Sequence, residues 1–268
     1  MESTVQYTDS FFTHFDLSID GISLPTNCAN PFNTSPHLLG RMAAEQLQKK
    51  LTNPKEWEHN FGLDKKLTGP IIGKMFGVLV VKDPNGAIGF LSAFSGKMAG
   101  TYNIDGFVPP IYDSLSTEGF LTSGMIELGR LNDEINSLMV DDPKKNQLQI
   151  ETLKRHRSLH SSALQDRLYQ QYSFLNQHQV EKSLTDIFHD FLRIRPSSGA
   201  GDCALPKLLQ YAFQNKMQPL AMSEFWWGLS PKSIHRKHLA YYPACQEKCA
   251  PILRHMLEGI KLEPLSNK

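Results

Sequence analysis

GKMFGVLVVKDPNGAIGFLSAFSGKM, from Gly73 to Met98, sets two β-rich runs on either side of Asp83, Pro84, Asn85 and Gly86. A four-residue turn cluster between two such runs specifies a β-hairpin. The first run, Phe76 to Val81, is apolar throughout, so it reads as a strand covered on both faces. Gly89, Gly96 and Gly100 loosen the second run and the loop behind it. A hairpin buried on both sides needs helices above and below, and the flanking sequence supplies them.

Upstream, SPHLLGRMAAEQLQKKL places Leu38, Leu39, Met42, Ala43, Leu47 and Leu51 at helical spacing. Ser35 is the expected N-cap, with Pro36 at the first helical position. Residues 1–35, rich in Pro, Asn, Thr and Ser, read as an irregular arm. Downstream, a Pro- and aromatic-containing loop leads into an apolar stripe on Ile126, Leu128, Leu131, Ile135 and Leu138. The stripe breaks at DDPKK and continues less regularly from Leu148 to Leu175. This pattern predicts a long helical hairpin, residues 116–180, inserted between two parts of one core, 36–115 and 181–262. The expected fold is α/β or α+β, a small mixed sheet with flanking helices.

The final third carries most of the candidate chemistry. A Gly-rich turn feeds Cys203 into a helix from Ala204 to Asn215, a strand follows from Pro219 to Gly228, and Pro243 opens a helix expected to carry Cys245 and Cys249. A helix N-terminus stabilises thiolate, so Cys203, Cys245 and Cys249 are candidate zinc ligands, with His238 able to close a fourth position. Zinc is therefore the one cofactor to consider; otherwise these are free or buried thiols. Cys28, alone in the arm, reads as a free thiol. His37 and His59 read as a helix-end residue and a packed polar contact, and the turn at Gly199 to Gly201 lacks the Lys-Ser/Thr of a phosphate loop.

Basic residues cluster twice. Lys232, Arg236 and Lys237 stand beside Trp226, Trp227, Tyr241 and Tyr242; Lys154, Arg155 and Arg157 lie on the second arm of the helical hairpin. Cations beside aromatic faces suit looped or single-stranded RNA, although the second cluster is more simply read as a solvated helix face. Strand alternation puts Trp226 and Trp227 on opposite faces, so one of them is available as a stacking platform.

Lys and Arg number 28 against 27 Asp and Glu, so whole-chain charge selects no partner class. No apolar run approaches the roughly 20 residues of a membrane span, and the N-terminus has no basic region followed by an apolar one. The expectation is a cytoplasmic protein with reduced thiols. No Ser-His-Asp order, HExxH or paired-carboxylate pattern is present, which leaves no catalytic residue to name and favours a binding module.

The combination of PHLLGRMAAEQLQ, EWEHNFGL, GFLSAFSGKMAG, FVPPIYD, GAGDCALPKLLQYAF, PLAMSEFWWG, SPKSIHRKH and YYPACQEKC resembles the N-terminal region of bacterial RluA-type RNA pseudouridine synthases, from about Pro36 to about Gly259. That resemblance implies an accessory region that positions rRNA or tRNA for a separate catalytic domain. The family's His-Arg-Leu-Asp motif is missing here, so the chain is not expected to isomerise uridine by itself, and LEPLSNK falls about where the catalytic domain would begin. The order of hairpin, cysteine-led helix, strand and Pro-x-Cys helix also resembles zinc nucleoside deaminases. In this chain Leu205 stands where that family places its proton-shuttling Glu, leaving only Asp202 or Glu224 as substitutes, and PACQEKC is wider than Pro-Cys-x-x-Cys. A structural or protein-interaction role, with the hairpin docking a partner or a second copy as a homodimer, is the third expectation.

Overall fold

The computed structural model describes residues 10–52, 57–115, 120–231 and 235–266. The fold is mixed α/β, as expected. Strands β1 (Lys74–Lys82) and β2 (Ile88–Phe94) form the hairpin, and Asp83 shapes its turn by accepting hydrogen bonds from the backbone N–H groups of Asn85 and Ala87, at 2.9 and 2.7 Å. β5 (Gln218–Trp227) pairs on the other side of β1, and β6 (Tyr241–Tyr242) adds to β5, giving the order β2-β1-β5-β6 with every pairing antiparallel. The centre of the sheet is thus β1 and β5, covered on both faces. A separate two-stranded sheet joins β3 (Ser173–Leu175) to β4 (Glu181–Ser183).

One face takes α1 (Leu38–Thr52) against Phe76, Val78, Val80 and Phe225. Gly40 permits the close approach, because a side chain there would meet the Met222 carbonyl at 3.3 Å, and Ser223 Oγ donates to the Gly40 carbonyl at 2.9 Å. The opposite face takes α5 (Ala204–Gln214) and α6 (Ala250–Met256) against Leu79, Val81 and Met222. Gly77 sets that contact: a Cβ there would lie 2.9 Å from Ala204 Cβ. α4 (Leu184–Leu192), capped by Ser183 accepting from Asp186 N–H, packs beside α6.

α1 starts two residues later than its sequence suggests. His37, rather than Ser35, occupies the cap, its Nδ1 accepting from Leu39 N–H at 3.2 Å. The arm is not loose where it is described. Thr13 exchanges both backbone hydrogen bonds with Phe90 on β2, and buried Cys28 does the same with Lys261 and Glu263. Burial pushes the Cys28 thiol up to about 12.

The helical hairpin consists of α2 (Phe120–Asp141) and α3 (Gln147–Tyr169), joined at the break in DDPKK. Leu131, Ile135 and Ile150 fill its seam, and Gly124 makes room for Leu164. No helix among the described residues is long and apolar enough to cross a membrane.

Candidate functional site

Cys203 and Cys249 are the N-caps of α5 and α6, and the docking of both helices on one face of the sheet brings the two sulfurs together as a disulfide. The expectation of reduced thiols does not survive that geometry at these two positions. Nor does the third sulfur join them. Cys245 lies in the turn before α6 rather than on the helix, because the chain must still run along Pro31 and close the Cys245 carbonyl onto Ala250 N–H before α6 can start. Its exposed Sγ accepts from Lys248 N–H, at 3.4 Å. His238 is engaged elsewhere: its Nδ1 accepts from Gly228 N–H at 3.1 Å and its ring meets Trp227 edge-on at 4.6 Å. Among the described residues, no group of three or more His, Cys, Asp or Glu side chains is placed to hold a metal ion. The donor set for zinc is therefore not assembled.

The two carboxylates considered as proton shuttles have structural partners. Tyr172 Oη donates to Asp202 Oδ1 at 2.7 Å. Glu224 lies between Gly77 and Tyr242 in the sheet and accepts from the Leu205 backbone N–H at the start of α5. Its burial raises its carboxyl to about 8, against smaller downward pulls from the Leu205 N–H and from Arg236, so it is held neutral near pH 7.

Lys207 was not distinguishable in the sequence from an ordinary solvated helix lysine. It is 2% exposed, and its Nζ donates to the Phe94 and Gly96 carbonyls at 3.0 and 3.3 Å. Desolvation lowers it to about 8, and burial likewise lowers Lys74 beside it.

The basic loop after β5 is the region where the sequence-level candidates do converge. Hydrogen bonds from Trp226 N–H to the Ala240 carbonyl and from Leu239 N–H to the Trp226 carbonyl, at 3.0 and 2.8 Å, pin its two ends together. The Arg236 guanidinium lies 4.2 Å over the Tyr242 ring, and Tyr242 Oη accepts from Lys237 N–H at 2.8 Å. The Lys237 and His235 side chains are exposed, while Lys232 lies outside the described residues. Neither tryptophan is the free platform expected from alternation. Trp226 and Trp227 are 9% and 6% exposed, because β5 is a central strand and the 57–73 segment folds over its end. Trp226 Nε1 donates to the Gly228 and Leu229 carbonyls.

Beside this loop opens a cleft of about 940 Å³ between the C-terminal half of α1, the 57–67 segment and the 238–239 end of the loop. Trp57 and Phe61 meet edge-on at 5.9 Å on one side, with Trp227 and His238 on the other. Leu63 and Leu239 are each 45% exposed at its mouth. Leu239 adopts φ +66°, a left-handed conformation that costs a leucine about 1–2 kcal/mol. His59, expected to be a packed polar contact, is one: it bridges the Ile72 carbonyl and Ala99 N–H, at 2.8 and 3.1 Å.

The second basic cluster is split. Lys154 and Arg155 are exposed on α3, but Arg157 is half-buried and donates to Asn132 Oδ1 on α2 at 2.6 Å, so it ties the hairpin together.

No protein-family model, curated protein or solved structure matches this chain.

Proposed function

We propose that this chain is the RNA-binding accessory region of an RluA-type pseudouridine synthase, positioning rRNA or tRNA for uridine isomerisation by a separate catalytic domain. The observation that carries the reading is the Arg236 guanidinium over the Tyr242 ring in the pinned loop, with Lys237 and His235 exposed beside it. A guanidinium already held over a ring loses little further freedom when it meets a phosphate. Lys154 and Arg155 are exposed cations on a second element, the hairpin. Fluorescence anisotropy with a structured RNA fragment tests the reading. Arg236→Ala with Lys237→Ala should weaken binding about 10-fold or more, uniformly across RNA sequences, because phosphate contacts carry no base information. Absence of RNA binding by the unmodified chain at low salt would overturn it.

A protein-interaction role for the hairpin rests on a separate observation. Ile126, Val140, Leu148 and Leu159 are 69%, 86%, 79% and 62% exposed on α2 and α3, more apolar surface than two solvated helices need. If the hairpin docks a second copy, sedimentation will show a dimer that Val140→Lys with Leu148→Lys converts to monomer. A monomer at all concentrations would remove the homodimer.

A further inference from the structure

We propose that Cys203, Cys245 and Cys249 form a thiol–disulfide exchange site, in which Cys245 is the point where a low-molecular-weight thiol gains entry to the Cys203–Cys249 disulfide. The proposal is independent of RNA binding. Cys249 is 2% exposed and belongs to the core cluster that holds Ile252, Leu253 and Met256, so a thiol in solution does not reach its sulfur. Cys203 is half-buried against the same cluster. Cys245 is exposed, four residues before Cys249 in the turn that leads into α6. That turn is closed by Ala250 N–H donating to the Cys245 carbonyl at 3.0 Å. Cys245 Sγ accepts from Lys248 N–H at 3.4 Å, so the sulfur already faces the backbone one residue before Cys249. Lys248 Nζ donates to the Ser198 carbonyl at 2.7 Å and so ties this turn to the one at Gly199 to Gly201 that feeds Cys203. Residues four apart in a helical turn have Cβ atoms about 5–6 Å apart, against about 3.5–4.5 Å in a disulfide. A side-chain rotation with a small shift of an exposed turn therefore carries Cys245 onto Cys249.

Exchange runs by attack of thiolate on a disulfide sulfur. The Cys245 thiolate attacks the Cys249 sulfur: the Cys245–Cys249 bond forms, the Cys203–Cys249 bond breaks, and the electron pair leaves on Cys203. Cys203 is the N-cap of α5, where the helix dipole favours a thiolate as leaving group. A thiolate from solution then attacks the Cys245 sulfur at the surface, forming a mixed disulfide and expelling Cys249. A second attacks the external sulfur of that mixed disulfide and releases Cys245. Two external thiols are thus oxidised to one external disulfide, Cys203 and Cys249 are reduced, and the two protons given up by the external thiols end on those two cysteines. Cys245 is regenerated. Run backwards, the same steps reduce an external disulfide and close the bond. Opening it removes the covalent tie between α5 and α6 on one face of the sheet.

The test follows opening of the disulfide in the full oxidised chain by reduced glutathione, with free thiols trapped by iodoacetamide and mapped after trypsin. Trypsin cuts between Lys248 and Cys249, so the two cysteines are read on separate peptides. Cys245→Ser, on an exposed turn, should slow opening about 10-fold or more, because a thiol in the same turn attacks intramolecularly. It should leave the final ratio of dithiol to disulfide unchanged, since the relay alters the path and not the end states. In the unmodified chain glutathione should be caught on Cys245. Equal opening rates in the two chains, or glutathione caught on Cys203, would overturn the proposal by showing direct attack on the half-buried sulfur. Cys203→Ser, shown by a thermal melt to be folded, should form a Cys245–Cys249 disulfide when treated with glutathione disulfide, seen as a linked pair of tryptic peptides. Absence of that pair in folded protein would also overturn the proposal, because the relay would lack its intermediate. Should Cys203→Ser not fold, the Cys245→Ser rates decide alone.

Discussion

Glu224→Gln should change the pH dependence of stability more than any other single substitution in the core. In the folded chain the carboxyl is raised to about 8, while in the unfolded chain it ionises near its ordinary 4.5. Between those values the unfolded state has released a proton that the folded state retains. Stability therefore falls as pH rises through this window, by about 1.4 kcal/mol per unit and by about 5 kcal/mol across it, then levels off above about pH 8. Gln keeps an oxygen to accept from Leu205 N–H but has no proton to lose. Its unfolding free energy should run flat through the same window, crossing that of the unmodified chain and exceeding it near pH 8. Urea unfolding at steps from about pH 5 to about pH 8 measures both curves. Parallel curves would refute the reasoning, since they would mean that Glu224 ionises as freely in the fold as outside it.

Lys207 acts with the opposite slope, because its depressed ammonium, near 8 in the fold against an ordinary 10.5, makes stability rise with pH between those values. The unmodified chain should thus show a stability minimum near pH 8, and Lys207→Met should lose the alkaline rise in the same urea series. Reducing the Cys203–Cys249 disulfide, which spans a sequence separation of 46, should lower stability by about 4 kcal/mol on the loop-entropy account, read as a shift in urea midpoint with and without dithiothreitol. Gly77→Ala should destabilise by about 1–3 kcal/mol in a thermal melt, since its Cβ would press on Ala204 Cβ and Leu208 Cδ1 at 2.9 and 3.2 Å and both belong to a packed helix.

What the sequence revealed of the fold was local. The Asp83–Gly86 cluster between two apolar runs specified the β1–β2 hairpin, and periodicity specified α1, α2 and α5 within a few residues. What it could not reveal was set by tertiary cover. Alternation assigns Trp226 and Trp227 to opposite faces correctly, but the free face at Trp226 is closed by Gly73 and Leu229, which only the fold brings there. The same limit governs the candidate site. Cysteine at the head of two helices was readable, and the docking of both helices on one face turned that pattern into a pair. Three convergent sulfurs required Cys245 to be helical, which depended on where a turn closes rather than on composition. Trp57, Phe61 and Leu239 went unnoticed as a group because they are brought together from three separate stretches, with no periodic signal linking them.

The salt dependence of RNA affinity tests the central claim most directly. On the proposed reading four cations would meet phosphate: Arg236 and Lys237 on the loop, Lys154 and Arg155 on the hairpin. For single-stranded RNA the logarithm of the association constant should then fall against the logarithm of salt concentration with a slope of about −3, and Arg236→Ala with Lys237→Ala should bring the slope to about −1.5. A slope near zero, or a slope that the double substitution leaves unchanged, would contradict the account.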